Sequence, residues 1–192
     1  MRSDQSAVLV PEVLEDPSAG ISLVPFRKDD VADMARLAEE PGVYENTYIP
    51  AQRDAGFATG WVAMYLAGWT DGTRAGFTIR TSDDGSFLGF ASLPTLDLGK
   101  QEAEAGYVVS AGARRRGVAT AALRLISRWG IETLGLKRIY LHIDPGNVGS
   151  LKVAERCGFV REGTLRSVYF KEGQRVDSAL FSLLPSDLQR LS

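Results

Sequence analysis

The sequence predicts one domain of the α/β or α+β class, built on a single sheet. Two observations support this prediction. The 192 residues suit one domain, and strand-like and helix-like segments are mixed in the order strand–helix–helix–strands–helix–strand–helix–strands. No internal repeat or low-complexity linker interrupts them. With 44% hydrophobic and 24% charged residues, the composition is that of an ordinary globular protein.

The chain begins with a segment that shows no periodic pattern. Residues 1–19 carry prolines and scattered charge, which is typical of a loosely ordered arm. We therefore expect the domain to span residues 20–192. Within it, 21–26 is expected to be a strand, and apolar residues at helical spacing predict a helix over 28–40. Pro41 and the glycine after it should end that helix.

Aromatic residues are concentrated in the segment 43–69. Phe57, Trp61, Met64 and Tyr65 fit one face of a helix. Packing into the core is the favoured interpretation for most of these side chains, and lining of a ligand pocket is the alternative.

The remaining segments have clear local signatures. A turn "DDG" between apolar runs predicts a hairpin, and the apolar face of 118–136 predicts the clearest helix, with Gly135 placed to cap its end. The predicted elements are a hairpin over 76–93, a strand over 102–110, the helix over 118–136, a strand over 138–144, a helix over 150–159 and strands over 165–170 and 176–184.

Composition excludes several function classes. The net charge of −2 argues against a nucleic-acid partner. Cys157 is the single cysteine and His142 the single histidine. An intrachain disulfide is therefore impossible, and a metal site or a Ser-His-Asp triad is not expected. No apolar stretch is long enough for a signal-peptide core or a membrane span, so we expect a cytoplasmic protein without a membrane partner.

The stretch "ARRRGVATAALRLI" (113–126) places three arginines and Gly117 directly before the clearest helix. Free N–H groups and the helix dipole attract anions at such a terminus, and a glycine lets a ligand approach the backbone. Pyrophosphate would gain most from several converging donors. The alternative is an ordinary basic helix start with solvated arginines. The stretch is neither a Walker loop nor a GxGxxG fingerprint.

At this stretch the sequence resembles a known family. "RRRGVA" (114–119) fits the R/Q-x-x-G-x-G/A motif of the GNAT superfamily of N-acetyltransferases, although Arg115 replaces the second glycine of many members. "NVGS" (147–150) with "AERCGF" (154–159) resembles the Rim-type branch, which acetylates N-termini of ribosomal proteins. The resemblance runs from about Ile21 to Leu188. It implies a mixed, mostly antiparallel central sheet flanked by helices.

The resemblance also implies a donor and its binding residues. Acetyl-CoA would be the acyl donor, and no metal is involved. Backbone N–H groups of the loop would bind its pyrophosphate: Arg114, Arg115, Arg116, Gly117, Val118, Ala119 and Thr120. The pantetheine arm would lie along Tyr107, Val108 and Val109, where the family has a β-bulge that frees an N–H near Val109. Asn147 would hydrogen-bond the pantetheine amides.

Candidate catalytic residues follow from what acetyl transfer requires. Glu102 and Glu104 lie on one face of the predicted strand, and Glu104 is favoured as the base because it is nearer the donor. Ser150 and Tyr169 compete as the acid that protonates the leaving thiolate. A phenol matches a thiolate better in pKa, whereas Ser150 belongs to the more specific motif.

The acceptor stays open at this stage. A protein or peptide N-terminal α-amine is the leading acceptor. A small amine such as a polyamine, or transfer of a succinyl-type group, is the first alternative. A non-catalytic acyl-CoA-binding regulatory module is the second. The aromatic segment 43–69 and the turn 171–175 are expected to shape the acceptor groove, and the C-terminal strands could pair in a homodimer.

Overall fold

The structure is a computed structural model that describes residues 9–43, 47, 56–171 and 173–189. Across this part of the chain, eight strands form one sheet in the order β1-β2-β3-β4-β5-β6-β8-β7. The strands are β1 (Leu14–Asp16), β2 (Ile21–Pro25), β3 (Ala75–Thr81), β4 (Phe87–Asp97), β5 (Glu102–Val109), β6 (Arg138–Ile143), β7 (Val160–Lys171) and β8 (Gln174–Leu183). The helices are α1 (Val31–Glu39), α2 (Phe57–Asp71), α3 (Val118–Glu132), α4 (Val148–Arg156) and α5 (Pro185–Gln189), with 3₁₀ turns at Lys28–Asp30 and Ala111–Ala113.

The sheet is mixed and mostly antiparallel, which confirms the prediction. β5 and β6 form its parallel pair, and their pairing is short. Glu102 to Glu104 pair with Arg138 to Tyr140, and the strands then diverge. β6 continues against β8 instead, while β5 continues against β4. The divergence opens a cleft in the middle of the sheet.

Helices cover both faces of the sheet. α3 packs on one face through Leu123, Ile126 and Trp129, which belong to the larger core cluster. α1 and α2 enclose a second cluster that includes Val108, whereas its neighbour Val109 belongs to the larger one. Because successive strand residues point to opposite faces, these assignments place the two clusters on opposite sides of β5.

Residues 9–16 differ from the expected loose arm. Leu9 is 5% exposed, and its N–H donates to the carbonyl oxygen of Trp69 at 3.1 Å. Glu12 accepts a hydrogen bond of 2.6 Å from the indole N–H of Trp129, and β1 pairs with β2. Burial and pairing hold this part of the chain against α3. The expectation is corrected from Leu9 onward, and residues 1–8 lie outside the described residues.

Within the described residues from 21 onward, the predicted element types are confirmed, some boundaries differ, and the short helix α5 was not predicted. α3 ends at Glu132, short of the expected 136, and Gly135 follows it with a φ of 72°. α4 begins at Val148 because Asn147 caps it. β7 and β8 are longer than the two expected strands. Across the described residues, none of the helices combines the length and apolarity needed to cross a membrane.

Candidate active site

The cleft exposes backbone groups on one edge of β5. The N–H of Ser110 donates to Leu88 on β4 at 2.9 Å. Since N–H and C=O groups alternate between the two edges of a strand, those of Val109 and Tyr107 point to the opposite edge, toward the cleft. The side chain of Arg114 agrees with this, because its Nε donates to the carbonyl oxygen of Val109 at 3.0 Å. An extended ligand could therefore pair with β5 here.

The bulge expected in β5 lies in the neighbouring strand. Ser92 pairs with Gly106 and Thr95 with Glu104, so the extra residue is in β4. From Gly106 to Val109, β5 pairs with β4 in regular register. The expectation of a bulge at Tyr107 to Val109 was wrong. The free N–H of Val109 results from strand alternation beside a diverging partner.

The N-terminus of α3 presents free donors to the same cleft. Gly117 is the N-cap residue with φ 83°, and a Cβ at this position would meet no atom within 4 Å. The first helical bond runs from Ala121 N to Gly117 O at 3.0 Å. The N–H groups of Val118, Ala119 and Thr120 precede that bond, so they are available to an anion.

The three arginines occupy different positions. Arg114 is turned toward Val109 and lies 3.9 Å from the carboxylate of Glu40. Arg115 has a left-handed backbone with φ 60° and lines the cavity next to the helix terminus. Arg116 is exposed and does not line that cavity. Arg115 is therefore the residue of the three that faces the cavity without an ion pair to Glu40.

Two further cations reach this cavity from α4. Lys152 and Arg156 line it, and both are exposed. Sequence reasoning missed them. The available signal was their spacing of four residues on a helix that begins at the Asn147 to Ser150 motif.

Two cavities open from the cleft and meet. The basic cavity, of about 590 Å³, contains the α3 terminus and the cations. The aromatic cavity, of about 830 Å³, lies on the α2 side. Of the residues that the structure describes, five line both cavities: Thr47, Tyr107, Val108, Asn147 and Ser150. The predicted donor residues except Arg116 line the basic cavity, and Glu104 and Tyr169 line the aromatic cavity.

Glu104 lies in the aromatic cavity at the point where β5 and β6 part. Burial raises the pKa of its carboxyl, and a hydrogen bond from Tyr169 opposes that shift. Glu102 instead lies near Lys100, at 4.0 Å, and does not line the cavity. The structure therefore places Glu104, of the two glutamates, where it could accept a proton.

Tyr169 is directed into the site by an irregularity in β7. Leu165 pairs with Ser178 and Tyr169 with Val176, so three residues of β7 span one residue of β8. The phenol reaches the Glu104 carboxylate, and its ring contacts the His142 ring edge-to-face at 5.4 Å. Burial lowers the pKa of His142, which favours the neutral imidazole. Tyr169 thus contacts the candidate base.

Ser150 lies where the two cavities join. Its backbone N–H donates to Oδ1 of Asn147 at 3.0 Å, which caps α4. The hydroxyl of Tyr107 donates to the carbonyl oxygen of Ser150 at 3.5 Å. Burial raises the pKa of Tyr107 to about 12, so this phenol is protonated at neutral pH.

The aromatic residues of α2 divide between core and cavity. Tyr65 is buried, and its hydroxyl donates to Ser92 Oγ at 3.0 Å. Phe57, Trp61 and Met64 line the cavity, facing Phe90 of β4. Within the described part of segment 43–69, core packing and cavity lining therefore both occur, and Tyr65 takes part in both; Tyr44 and Tyr48 lie outside the described residues. In the turn 171–175, none of the described residues lines the cavity.

Comparison with known proteins identifies relatives of the chain. A family model described as acetyltransferase (GNAT) domain matches residues 21–160. The chain is 37% identical over 101 residues to the protein named, provisionally, as the ribosomal N-acetyltransferase YdaF of Bacillus subtilis (strain 168), across 53% of this chain and 55% of that protein. The match thus spans about half the length of that relative. A spermidine N(1)-acetyltransferase of Escherichia coli (strain K12) is 30% identical over 91 residues, 47% of this chain and 49% of that protein.

Solved structures share the fold. Mycobacterium smegmatis RimJ in complex with CoA-disulfide has a TM-score of 0.83 and 25% identity, over 93% of this chain and 90% of that chain. Spermidine N-acetyltransferase from Vibrio cholerae, in complex with CoA and spermine, has a TM-score of 0.79 at 19% identity, over 89% of this chain and 99% of that chain.

Proposed function

Because the chain belongs to the GNAT family of acetyltransferases, we propose that it transfers an acetyl group from acetyl-CoA directly to a primary amine. The proposed acceptor is the N-terminal α-amine of a protein or peptide. One observation carries the proposal: a basic cavity at a helix N-terminus meets an aromatic cavity that contains a half-buried carboxylate. A donor and an acceptor bound in the two cavities would meet beside Tyr107 and Ser150.

The basic cavity suits the donor. Its N–H groups from Val118 to Thr120 and the side chain of Arg115 would hold the pyrophosphate. Lys152 and Arg156 add charge for the remaining phosphate of CoA. The pantetheine arm would pair with the free edge of β5, as an added strand does, and Asn147 lies beside that path.

Glu104 would act as the base. The pKa of its carboxyl is raised toward the pKa of an α-amine, which is ordinarily about 7.7–8.0. This makes it easier for Glu104 to take a proton from the amine. Glu104→Gln should lower kcat/KM by about 10²–10⁴ and leave acetyl-CoA binding intact. Glu102→Gln is the matched control, since Glu102 lies on the same strand outside the cavity.

Two further groups would serve the oxyanion and the leaving thiolate. The free N–H of Val109 would stabilise charge on the thioester oxygen, and loss of one such donor typically costs about 10²–10³ in rate. Ser150 would protonate the thiolate. Tyr169 hydrogen-bonds Glu104 in the aromatic cavity. We therefore assign Tyr169 the role of modulating the base, Glu104, and not that of the acid.

A small amine is the second candidate acceptor. The 30% identity to a spermidine N(1)-acetyltransferase favours it. The 37% identity to a protein named as a ribosomal N-acetyltransferase supports a protein acceptor. Assays of short peptides beside spermidine, with mass analysis of the product, separate the two. Acetylation confined to the small amine would overturn the N-terminal assignment.

Calorimetric titration with acetyl-CoA tests the donor site. Gly117→Glu places a carboxylate in the proposed pyrophosphate position and should abolish binding. Gly112→Glu is the control, because Gly112 has open space around it and does not line the basic cavity. If the folded wild-type protein bound neither acetyl-CoA nor CoA, the loop would be an ordinary basic helix start. Binding without turnover on any amine would indicate a regulatory module.

A further inference from the structure

The α2 side of the aromatic cavity is mostly apolar, and the Tyr65 hydroxyl on that side is already hydrogen-bonded. Trp61 packs edge-on against Phe90 with ring centroids 4.9 Å apart, and Phe57 lies 5.3 Å from Trp61. The hydroxyl of Tyr65 is bonded to Ser92 and to the side chain of Trp61. A ligand group that contacts this wall would therefore meet ring faces and the thioether of Met64.

Among the described residues that line this cavity, negative charge is scarce. Of the described residues that line it, Glu104 and Asp144 carry carboxylates. Asp144 lies 3.6 Å from the ammonium of Lys171 and accepts a hydrogen bond from Gly146 N–H at 2.8 Å. Of these two carboxylates, Glu104 is therefore the one that can pair with a ligand's ammonium group without competition from a lysine of the protein.

A polyamine is poorly matched to this arrangement. Each of its ammonium groups loses hydration on entry, and each needs a counter-charge or hydrogen bonds to offset that cost. Glu104 can serve one amine. A second ammonium, several carbons away, would lie against Trp61 and Phe90. An apolar group attached to a single amine would bury its surface at the same place, and this burial would stabilise the complex.

We infer that the acceptor is a peptide N-terminus whose first residue has a large apolar side chain, such as leucine, methionine or phenylalanine. The α-amine lies at Glu104, and the side chain contacts Phe57, Trp61 and Met64. The cavity of about 830 Å³ has room for such a side chain beside the peptide backbone. This inference rests on the proposed acetyl transfer.

The test uses peptides that differ only in their first residue, with spermidine as a further acceptor. Free thiol release from acetyl-CoA and the mass of the product are measured. We expect kcat/KM at least about 10-fold higher for leucine, methionine and phenylalanine peptides than for glycine and serine peptides. Equal or higher values for the small residues, or for spermidine, would overturn the inference and leave acetyl transfer standing.

Variants locate the preference in the cavity. Trp61→Ala should reduce the preference to within a few-fold. Phe170→Ala should retain it, since Phe170 is 71% exposed and outside the cavity. Met64→Glu adds a carboxylate at a rim position that is 39% exposed, and it should shift kcat/KM toward spermidine.

Different results would contradict the proposed acetyl transfer and the proposed preference for an apolar first residue. If no amine accelerates thiol release although acetyl-CoA binds, the proposed function and this inference both fall. If apolar peptides are preferred and Trp61→Ala and Phe170→Ala keep that preference equally, the preference arises elsewhere and the inference is overturned.

Discussion

At the scale of single residues, the chemistry depends on how Glu104 is held. Its carboxyl is half-buried where two strands part, and its hydrogen bond comes from Tyr169. Burial disfavours the charged form and the phenol favours it, so the two effects oppose each other. Burial is the larger, and the pKa is raised. As the proposed base, Glu104 would accept a proton more readily than a solvated glutamate does.

Tyr169→Phe tests this relation. Loss of the hydrogen bond should raise the pKa of Glu104 further, because the charged carboxylate loses a donor. On a logarithmic plot of kcat/KM against pH, an acceptor that binds as the ammonium ion gives a flat profile below about pH 8. Protonation of Glu104 should steepen the profile to a slope of one, at a pH above the ordinary value of 4.5.

In Tyr169→Phe the steepening should move to higher pH, and in Glu104→Gln it should disappear. Glu102→Gln should leave it in place, since that side chain lies outside the cavity. A pH-independent fall in kcat for Tyr169→Phe, with no shift in the profile, would instead assign Tyr169 as the acid.

At the scale of elements, the N-termini of two helices line the basic cavity, and the two helices are capped differently. α3 starts at a glycine without a side-chain cap, which leaves its first N–H groups open to a ligand. α4 starts at Asn147, whose side chain satisfies one of the helix's own donors. The first terminus therefore has free N–H groups for the proposed pyrophosphate contact, whereas the second is capped and fixes the position of Ser150.

Substitution of Asn147 separates its two roles. Asn147→Ala should lower the free energy of unfolding by about 1 kcal/mol, because the cap is lost. Asn147→Asp keeps an acceptor for Ser150 N–H and should have nearly wild-type stability, but it should weaken acetyl-CoA binding since the amide donors are gone. Urea unfolding and calorimetry measure the two effects. Equal acetyl-CoA affinity in Asn147→Asp and wild type would contradict the pantetheine contact.

At the scale of the whole molecule, one sheet with a core on each face supports the cleft. α3 packs on one face and its N-terminus lines the basic cavity, while α2 covers the opposite face and lines the aromatic cavity. The segment from Leu9 to β1 closes the outer side of α3 through Trp69 and Trp129. We expect substitutions in this segment to change the stability of the fold without changing ligand binding in the cleft.

Two adjacent residues test the closure. Leu9→Ala removes a buried side chain and should destabilise the fold by about 2 kcal/mol or more. Val10→Ala changes a side chain that is 78% exposed and should alter stability by no more than about 0.5 kcal/mol. Urea midpoints give the comparison, and acetyl-CoA affinity should be unchanged in both. Equal midpoints would mean that residues 9–16 do not contribute to the cooperative unit.

The sequence by itself determined the features that depend on local pattern. The strand that became β5, the helix that became α3 and Gly117 between them are each encoded in a short run of residues, by alternation, helical spacing and a glycine. The resemblance of 114–119 to a family motif pointed to the donor. Leu9 and Glu12 were missed because a short segment interrupted by Pro11 has no periodic signal. Its position depends on distant residues, since Leu9 bonds to Trp69 and Glu12 to Trp129, over a hundred residues away.

Only the tertiary structure decided which side chains meet. The divergence of β5 from β6 depends on β6 pairing with β8, a contact between distant parts of the chain. An irregularity in β7 brings Tyr169 to Glu104, and the packing of α4 brings Lys152 to the basic cavity. Such contacts are set by long-range register and packing. A local pattern carries no information about which distant residue will lie opposite, whereas the folded sheet fixes it.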